Sequence, residues 1–178
     1  MSLCLVANWK LNGSKAFNTQ WALEFLRNFN GNNFSSIGIA PPSLYIDHIK
    51  ALLAGHEIKI GSQNIDLEQT GARTGEISAS MIKDLGCSFS IVGHSERRLL
   101  FHETNQMICQ KLIQANNNSI IPILCIGESA EENESNNTYN VLQQQITEAL
   151  ENVNELSSLV IAYAVSYTHL TLPTIYSV

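Results

Sequence analysis

Short apolar runs alternate along the chain with longer segments in which apolar residues recur every three or four positions. The short runs are flanked by turn-forming residues and predict strands at residues 3–7, 37–40, 58–60, 89–92, 120–126 and 159–163. Helical spacing is found at residues 43–53 and 104–115, in the stripe of Trp21, Ala22, Phe25, Leu26 and Phe29, and in the stripe of Leu142, Ile146, Ala149, Leu150 and Val153. Because parallel strands need long crossovers, strands joined by helices predict an α/β fold with a parallel sheet covered by helices.

Two architectures fit this pattern, an open doubly wound sheet and a closed (β/α) barrel. In both of them, ligands bind at the carboxyl ends of the strands. No glycine-rich dinucleotide or P-loop motif follows the first strand. Polar residues follow four of the strands instead, at residues 8–13, 63–64, 94–96 and 127–129. The sequence therefore predicts a small-molecule site at one end of the sheet.

The most informative junction lies at residues 88–98, where an apolar strand meets the start of a helix. Gly93 allows a close turn and Ser95 is a favoured N-cap residue, so His94 is predicted at the mouth of the sheet. Backbone N–H groups at a helix start disfavour a second proton on imidazole, which favours a neutral, hydrogen-bond-donating histidine. A purely structural hydrogen bond is the alternative for a lone histidine.

The composition of the chain excludes several classes of function. The chain has 178 residues, of which 44% are hydrophobic and 15% charged, as expected for a globular domain. A net charge of −6 provides no basic field, so no nucleic-acid partner is expected. No apolar run reaches the ~20 residues of a membrane span, so no membrane partner is expected. Residues 3–7 are too short for a signal-peptide core, which predicts a cytoplasmic protein. Widely spaced Cys4, Cys87, Cys109 and Cys125 favour reduced thiols over disulfides or a zinc site.

Four segments, read in chain order, resemble the triosephosphate isomerase family. They are residues 7–13 (ANWKLNG), residues 63–64 (QN) with 70–76 (TGARTGE), residues 92–98 (VGHSERR) and residues 125–128 (CIGE). The resemblance extends over residues 2–163 and implies an incomplete (β/α)8 TIM barrel with about six of the eight βα units. It implies an isomerase that interconverts dihydroxyacetone phosphate and glyceraldehyde 3-phosphate through an enediolate, in glycolysis and gluconeogenesis, without a metal or a cofactor. The joint match at residues 8–10 and 93–96 disfavours another phosphosugar barrel enzyme.

The resemblance also implies roles for individual residues. Lys10 matches the lysine that faces the substrate, and Asn8 matches its polar neighbour in substrate binding. His94 matches the electrophile that polarises the carbonyl as neutral imidazole. Glu96 matches a carboxylate that positions Lys10. Thr74, in the long loop at residues 65–77, matches the residue that approaches the active site of a second subunit, so the resemblance implies a homodimer.

The chain departs from the family after the sixth strand. The family has its general base, a glutamate, where this chain has Ala164, so no general base is expected here. Barrels of this kind run to about 250 residues and build a phosphate site from loops after strands seven and eight, for which this chain has no residues. We therefore expect this chain to be inactive. The alternative is a catalytically dead fragment that acts only as a binding or dimerisation module.

The last segment differs in character from the rest of the chain. Residues 164–178 contain no Asp, Glu, Lys or Arg and have no counterpart in the family. We interpret residues 1–163 as a partial TIM barrel and residues 164–178 as a non-family tail of artefactual origin. The competing interpretation is a true strand in a variant fold.

Overall fold

The computed structural model describes residues 4–29, 36–153 and 158–164. Its strands are β1 (Cys4–Asn8), β2 (Ser36–Ala40), β3 (Ile58–Ser62), β4 (Phe89–Val92), β5 (Ile121–Ile126) and β6 (Val160–Tyr163). Its helices are α1 (Lys15–Asn28), α2 (Ile46–Leu52), α3 (Ala79–Asp84), α4 (Ser95–Leu100), α5 (Asn105–Asn117), α6 (Ala130–Glu134) and α7 (Thr138–Leu150). Strands and helices alternate, which confirms the predicted α/β class.

The strand order decides between the two architectures. Over the described residues, one sheet runs β1-β2-β3-β4-β5-β6, and every neighbouring pair is parallel. A doubly wound sheet reverses its order at a switch point, whereas a (β/α) barrel keeps its strands in chain order. The sheet is therefore part of a (β/α) barrel.

The sheet is curled around the side chain of Phe89 in β4. A Cβ atom added to Gly61 in β3 would lie 2.4 Å from the Phe89 ring, and one added to Gly38 in β2 would lie 2.8 Å from it. Because neighbouring strands are about 4.8 Å apart, a ring on β4 reaches β2 only where the sheet bends toward it. The two glycines make room for this ring.

The central strands β2, β4 and β5 are buried on both faces, which explains why their sequences are nearly continuous apolar runs. The inner face carries a cluster formed by Ala40, Phe89, Ile91 and Ile123. The outer face packs against the helices in a larger cluster. The strands contribute Ile39, Ile60, Val92 and Leu124 to it, and the helices contribute Ile46, Ile49, Ile82, Ile108, Leu112 and Ala149. Both predicted helical stripes contribute to this outer cluster.

The predicted elements are confirmed with shifts at their ends. The strand at residues 89–92 has the predicted bounds, and α5 begins at Asn105 with Thr104 as its N-cap. The segment at residues 43–53 divides into a 3-10 turn at Ser43–Tyr45 and α2. The prediction for residues 164–178 lies outside the described residues except for Ala164, and it stays a prediction.

Candidate active site

A cleft of about 800 Å³ opens at the carboxyl ends of the first strands. Its polar lining includes Asn8, Lys10, Gln63, His94 and Glu96. A separate groove of about 560 Å³ lies on the outer surface of α1, and its lining comes from that one helix. Since ligands of parallel sheets bind at the carboxyl ends of the strands, the cleft is the candidate site.

The loop after β1 holds Lys10 in a left-handed backbone conformation, with a φ of 52°. Its backbone N–H donates to Asn8 Oδ1 over 2.9 Å, and its carbonyl accepts from Gln63 Nε2 over 2.9 Å. The same Gln63 amide donates to the carbonyl of Ala40 at the end of β2, over 2.8 Å. These bonds tie the lysine loop to β2 and β3. They offset a backbone conformation that costs a non-glycine residue about 1–3 kcal/mol.

The Lys10 ammonium donates to Glu96 Oε1 over 2.8 Å. The two side chains are 38% and 47% exposed, so solvent screens the pair. Exposed ion pairs of this kind contribute about 0–1 kcal/mol to stability. The pair therefore directs the ammonium more than it stabilises the fold.

His94 is the N-cap of α4, and the predicted N-cap at Ser95 is wrong because Ser95 is the first helical residue. His94 Nδ1 accepts a hydrogen bond from the backbone N–H of Glu96 over 3.2 Å. An accepting Nδ1 carries no proton, so the proton of the neutral ring is on Nε2. Glu96 Oε2 lies 3.5 Å from Nδ1 and would pair with it only if Nδ1 carried a proton. The shorter backbone contact favours the neutral ring.

The Glu96 carboxylate brings Lys10 and His94 together. One of its oxygens accepts from the Lys10 ammonium, and the other lies 3.5 Å from the His94 ring. Asn8 lines the same cleft and holds the Lys10 backbone. Four predicted site residues from two distant parts of the sequence thus surround one space.

The loop at residues 65–77 projects from the sheet, and Thr74 lies in its exposed part. The backbone N–H of Asp66 donates to the Ile77 carbonyl over 2.8 Å and closes the loop at its base. Arg73 binds the Asp66 carboxylate through two nitrogens, over 2.6 and 2.9 Å. Burial acts to raise the pKa of Asp66, but hydrogen bonds from Arg73 and from the Glu68 backbone outweigh it, and the pKa lies below its usual value.

A buried charged group under the cleft was not predicted from the sequence. The Glu103 carboxylate binds both Lys111 and Arg97, and the Glu103 and Lys111 side chains are almost fully buried. Lys111 also donates to Asn64 Oδ1 over 2.7 Å, which fixes the segment after β3. Burial lowers the pKa of Lys111, although Glu103 acts against that shift. One signal was visible, because Lys111 falls within the apolar face of a predicted helix.

The ends of β5 and β6 are held together beside residue 164. The Ala164 N–H donates to the Ile126 carbonyl over 3.0 Å. The Gln145 side chain binds both the N–H and the carbonyl of Gly127, over 3.0 and 2.9 Å. A Cβ atom on Gly127 would lie 2.0 Å from the Ala164 carbonyl oxygen, so only glycine fits there.

The buried Glu128 follows Gly127 and accepts from the Tyr163 hydroxyl over 2.9 Å. The methyl side chain of Ala164 offers no group that can accept a proton. Residue 164 is therefore placed by a well-bonded backbone but brings no acid–base chemistry.

The three thiols that the structure describes, Cys87, Cys109 and Cys125, are free. Over the described ranges, no three His, Cys, Asp or Glu side chains are grouped so that they could hold a metal ion. Among the described helices, none has the length and apolar character that crossing a membrane requires.

Comparison with known proteins gives a consistent family match. Residues 3–164 match the family model described as triosephosphate isomerase. The chain is 42% identical over 161 residues to the triosephosphate isomerase of Nitrosococcus oceani, which covers 89% of this chain and 64% of that protein. It is 44% identical over 163 residues to the triosephosphate isomerase of Baumannia cicadellinicola, which covers 89% of this chain and 63% of that protein. The chain thus spans just under two thirds of the length of these curated relatives.

Proposed function

Because this chain belongs to the triosephosphate isomerase family, we propose that its cleft binds a phosphorylated triose and serves the interconversion of dihydroxyacetone phosphate and glyceraldehyde 3-phosphate. The observation that carries the proposal is the meeting of Lys10 and His94 at the Glu96 carboxylate. A fixed ammonium and an imidazole N–H donor suit an anionic substrate whose carbonyl oxygen gains negative charge during the reaction.

The proposed reaction moves a proton between two adjacent carbons. A general base removes the proton from the carbon beside the carbonyl, and the electron pair moves onto the carbonyl oxygen to form an enediolate. The former carbonyl oxygen gains the proton that the neighbouring hydroxyl loses, and the base returns its proton to the former carbonyl carbon. In this proposal, His94 Nε2–H polarises that oxygen, Lys10 stabilises the negative charge, Glu96 positions Lys10, and Asn8 holds the loop and contacts the substrate. Preorganised donors of this kind lower the barrier because they need no reorganisation during the reaction.

We also propose that this chain has very low turnover, because Ala164 stands where the family carries its base. Proton transfer by a positioned side chain contributes typically ~10² to 10⁴-fold to the rate. The cleft can bind substrate without this base, so binding and turnover are separable properties of this chain.

Binding tests the proposal directly. Dihydroxyacetone phosphate titrated into the ¹⁵N-labelled chain should shift the amide signals of Asn8, Lys10 and His94. Lys10→Met should abolish these shifts, whereas Lys15→Met, which removes an exposed lysine on α1, should leave them unchanged. Inorganic phosphate serves as the ligand control. A folded chain whose cleft signals do not respond to dihydroxyacetone phosphate, or a Lys15→Met variant as impaired as Lys10→Met, would overturn the proposal.

Turnover distinguishes the isomerase from the binding module. The isomerase assay is applied to this chain and to a version extended to eight βα units with Ala164→Glu. Activity confined to the extended chain supports the isomerase. If both chains fold and neither is active, the binding-module alternative is favoured.

The exposed loop supports a second part of the proposal, that two copies of the chain associate. Asp66 and Arg73 brace the loop from within, so it projects as an ordered element. Leu100 and Phe101 lie exposed beside it along the cleft. Thr74→Arg should convert a dimer to monomer in sedimentation, while Gln69→Arg on the same exposed loop should not. An unaltered dimer in Thr74→Arg would contradict this arrangement.

A cytoplasmic location and a role in glycolysis and gluconeogenesis are also proposed. Both proposals rest on the proposed triose phosphate substrate, and no structural contact supports them. Fluorescent fusion of the chain in its native host tests the location.

A further inference from the structure

We propose that Arg98 is a positioning residue for His94, which sets the backbone and the tautomer of the imidazole that the proposed reaction uses. This inference rests on the proposed function for its catalytic meaning. Its structural content, the control of His94 by Arg98, is measurable without substrate.

Arg98 holds the backbone on both sides of His94. Its side-chain Nε donates to the carbonyl of Gly93, the residue before His94, over 2.8 Å. Its backbone N–H donates to the carbonyl of His94 itself over 3.1 Å. The His94 carbonyl also accepts from the backbone N–H of Arg97 over 2.8 Å. The Arg98 side chain therefore fixes the peptide group before the histidine, and the helix backbone fixes the one after it.

The guanidinium is itself anchored to other elements. Nη1 donates to Asn105 Oδ1 at the start of α5 over 2.6 Å, and Nη2 donates to the Cys125 carbonyl in β5 over 3.2 Å. Asn105 in turn donates to Glu148 in α7 over 2.8 Å. The His94 turn is thus fixed relative to the next strand and to two helices of the barrel wall.

The turn is packed tightly against this guanidinium. Gly93 has a φ of 71°, which favours glycine. A Cβ atom at Gly93 would lie 2.9 Å from Ile108 Cδ1 and 3.1 Å from Arg98 Nη2. Burial lowers the pKa of Arg98, although a guanidinium stays charged at any pH at which the protein is folded. The contact is therefore a permanent, charge-assisted one.

The tautomer of His94 depends on this geometry. Nδ1 can accept the Glu96 N–H only while the turn from Gly93 to Glu96 keeps its observed shape. That hydrogen bond keeps the proton on Nε2. If the Gly93 carbonyl were released, the turn would rotate and the ring would exchange between tautomers.

The test measures His94 in the full chain. Imidazole ¹⁵N shifts should report a single Nε2–H tautomer in the unsubstituted chain, with assignment from a His94→Gln variant. Arg98→Met should move the His94 ¹⁵N shifts toward the average of the two tautomers. Arg98→Lys replaces the guanidinium with a single ammonium, and its His94 shifts should lie between those of the unsubstituted chain and of Arg98→Met. Glu148→Gln is the matched control, because it leaves the bonds from Arg98 to Gly93 and His94 in place, and its His94 shifts should match the unsubstituted chain.

A folded Arg98→Met variant with unchanged His94 shifts would overturn the proposal. If Arg98→Met does not fold, hydrogen exchange in the unsubstituted chain provides the second test. The Arg98 Nε–H should exchange with solvent far more slowly than the Nε–H of the exposed Arg27. Equal exchange rates would also overturn it. Altered His94 shifts in Arg98→Met, without any response of the unsubstituted chain to dihydroxyacetone phosphate, would support the positioning role and refute the proposed function.

Discussion

The Lys10 ammonium lies 2.8 Å from the Glu96 carboxylate, although the two residues are 86 positions apart in the sequence. The pair joins the loop after β1 to the first turn of α4. The pair contributes little to the free energy of unfolding because both side chains are well exposed. Its effect is to direct the Lys10 ammonium toward the His94 side of the cleft.

Glu96→Gln should therefore change the free energy of unfolding by less than ~1 kcal/mol while weakening the binding of dihydroxyacetone phosphate. Urea unfolding and an NMR titration measure the two effects separately. Glu24→Gln on the exposed face of α1 is the control and should leave both unchanged. A loss of several kcal/mol in Glu96→Gln would show that the pair is a stabilising contact.

Acidification should weaken the projecting loop through Asp66. Its pKa is below the usual 3.8 in the folded chain, so the folded state binds a proton less readily than the unfolded state. The stabilisation from the Asp66 carboxylate is complete above about pH 3.8 and is lost as the pH falls through the lower folded pKa. The stability difference between the unsubstituted chain and Asp66→Asn, from urea unfolding at several pH values, should shrink in that window. A difference that grows on acidification would contradict this.

The buried thiol of Cys87 and the half-buried thiol of Cys125 should resist modification. Burial raises the pKa of Cys87 and of Cys125 to about 11, against the opposing charges of Lys50 and Arg98. At about pH 8, each thiol should react roughly a hundredfold more slowly than a thiol with a pKa of 9.0, because the thiolate is the reactive form. Variants that retain only one cysteine, assayed with a thiol reagent, measure this, and the same variants unfolded in urea provide the reference rate. Equal rates before and after unfolding would disprove the expected protection.

Gly61→Ala should destabilise the barrel interior, because the new Cβ would lie 2.4 Å from the Phe89 ring. Overpacking of this kind costs typically about 1–3 kcal/mol. Phe89→Leu should relieve part of the cost, which a double-mutant cycle in urea unfolding detects as coupling.

The control for this cycle is Gly55→Ala. Gly55 has a φ of +84° and no atom within 4 Å of its added Cβ, so its loss comes from backbone strain alone. Phe89→Leu should leave that loss unchanged. The same relief at both glycines would mean that Phe89→Leu acts on overall stability and not on the contact.

The elements of the sheet could be predicted because the central strands β2, β4 and β5 are buried apolar runs and the longer connecting helices have a helical period. The N-cap of α4 could not be assigned to His94 from the sequence, because N-cap preference favours Ser95. That preference does not show that an imidazole Nδ1 can accept the hydrogen bond from the helix N–H. The shortest helices, such as α3 and α6, are too brief to show a period.

The candidate site was predictable in part. The resemblance brought Lys10 and His94 to one cleft, and the structure places both on its wall. The position of Lys111 on an apolar helix face hinted at its burial, but the contacts of Arg98 and the pairing of Glu103 with Lys111 were not predictable, since periodicity does not show which charged side chains find partners on distant elements. Such networks depend on several elements packing at once.

The left-handed backbone at Lys10 has an evolutionary consequence. Residues that adopt this conformation most easily are glycine and asparagine, and neither carries a positive charge. Selection for a more stable loop and selection for a cation at this position therefore favour different amino acids. A variant library sorted for thermostability alone should accumulate Gly and Asn at position 10, whereas one sorted for affinity to a triose phosphate should retain Lys.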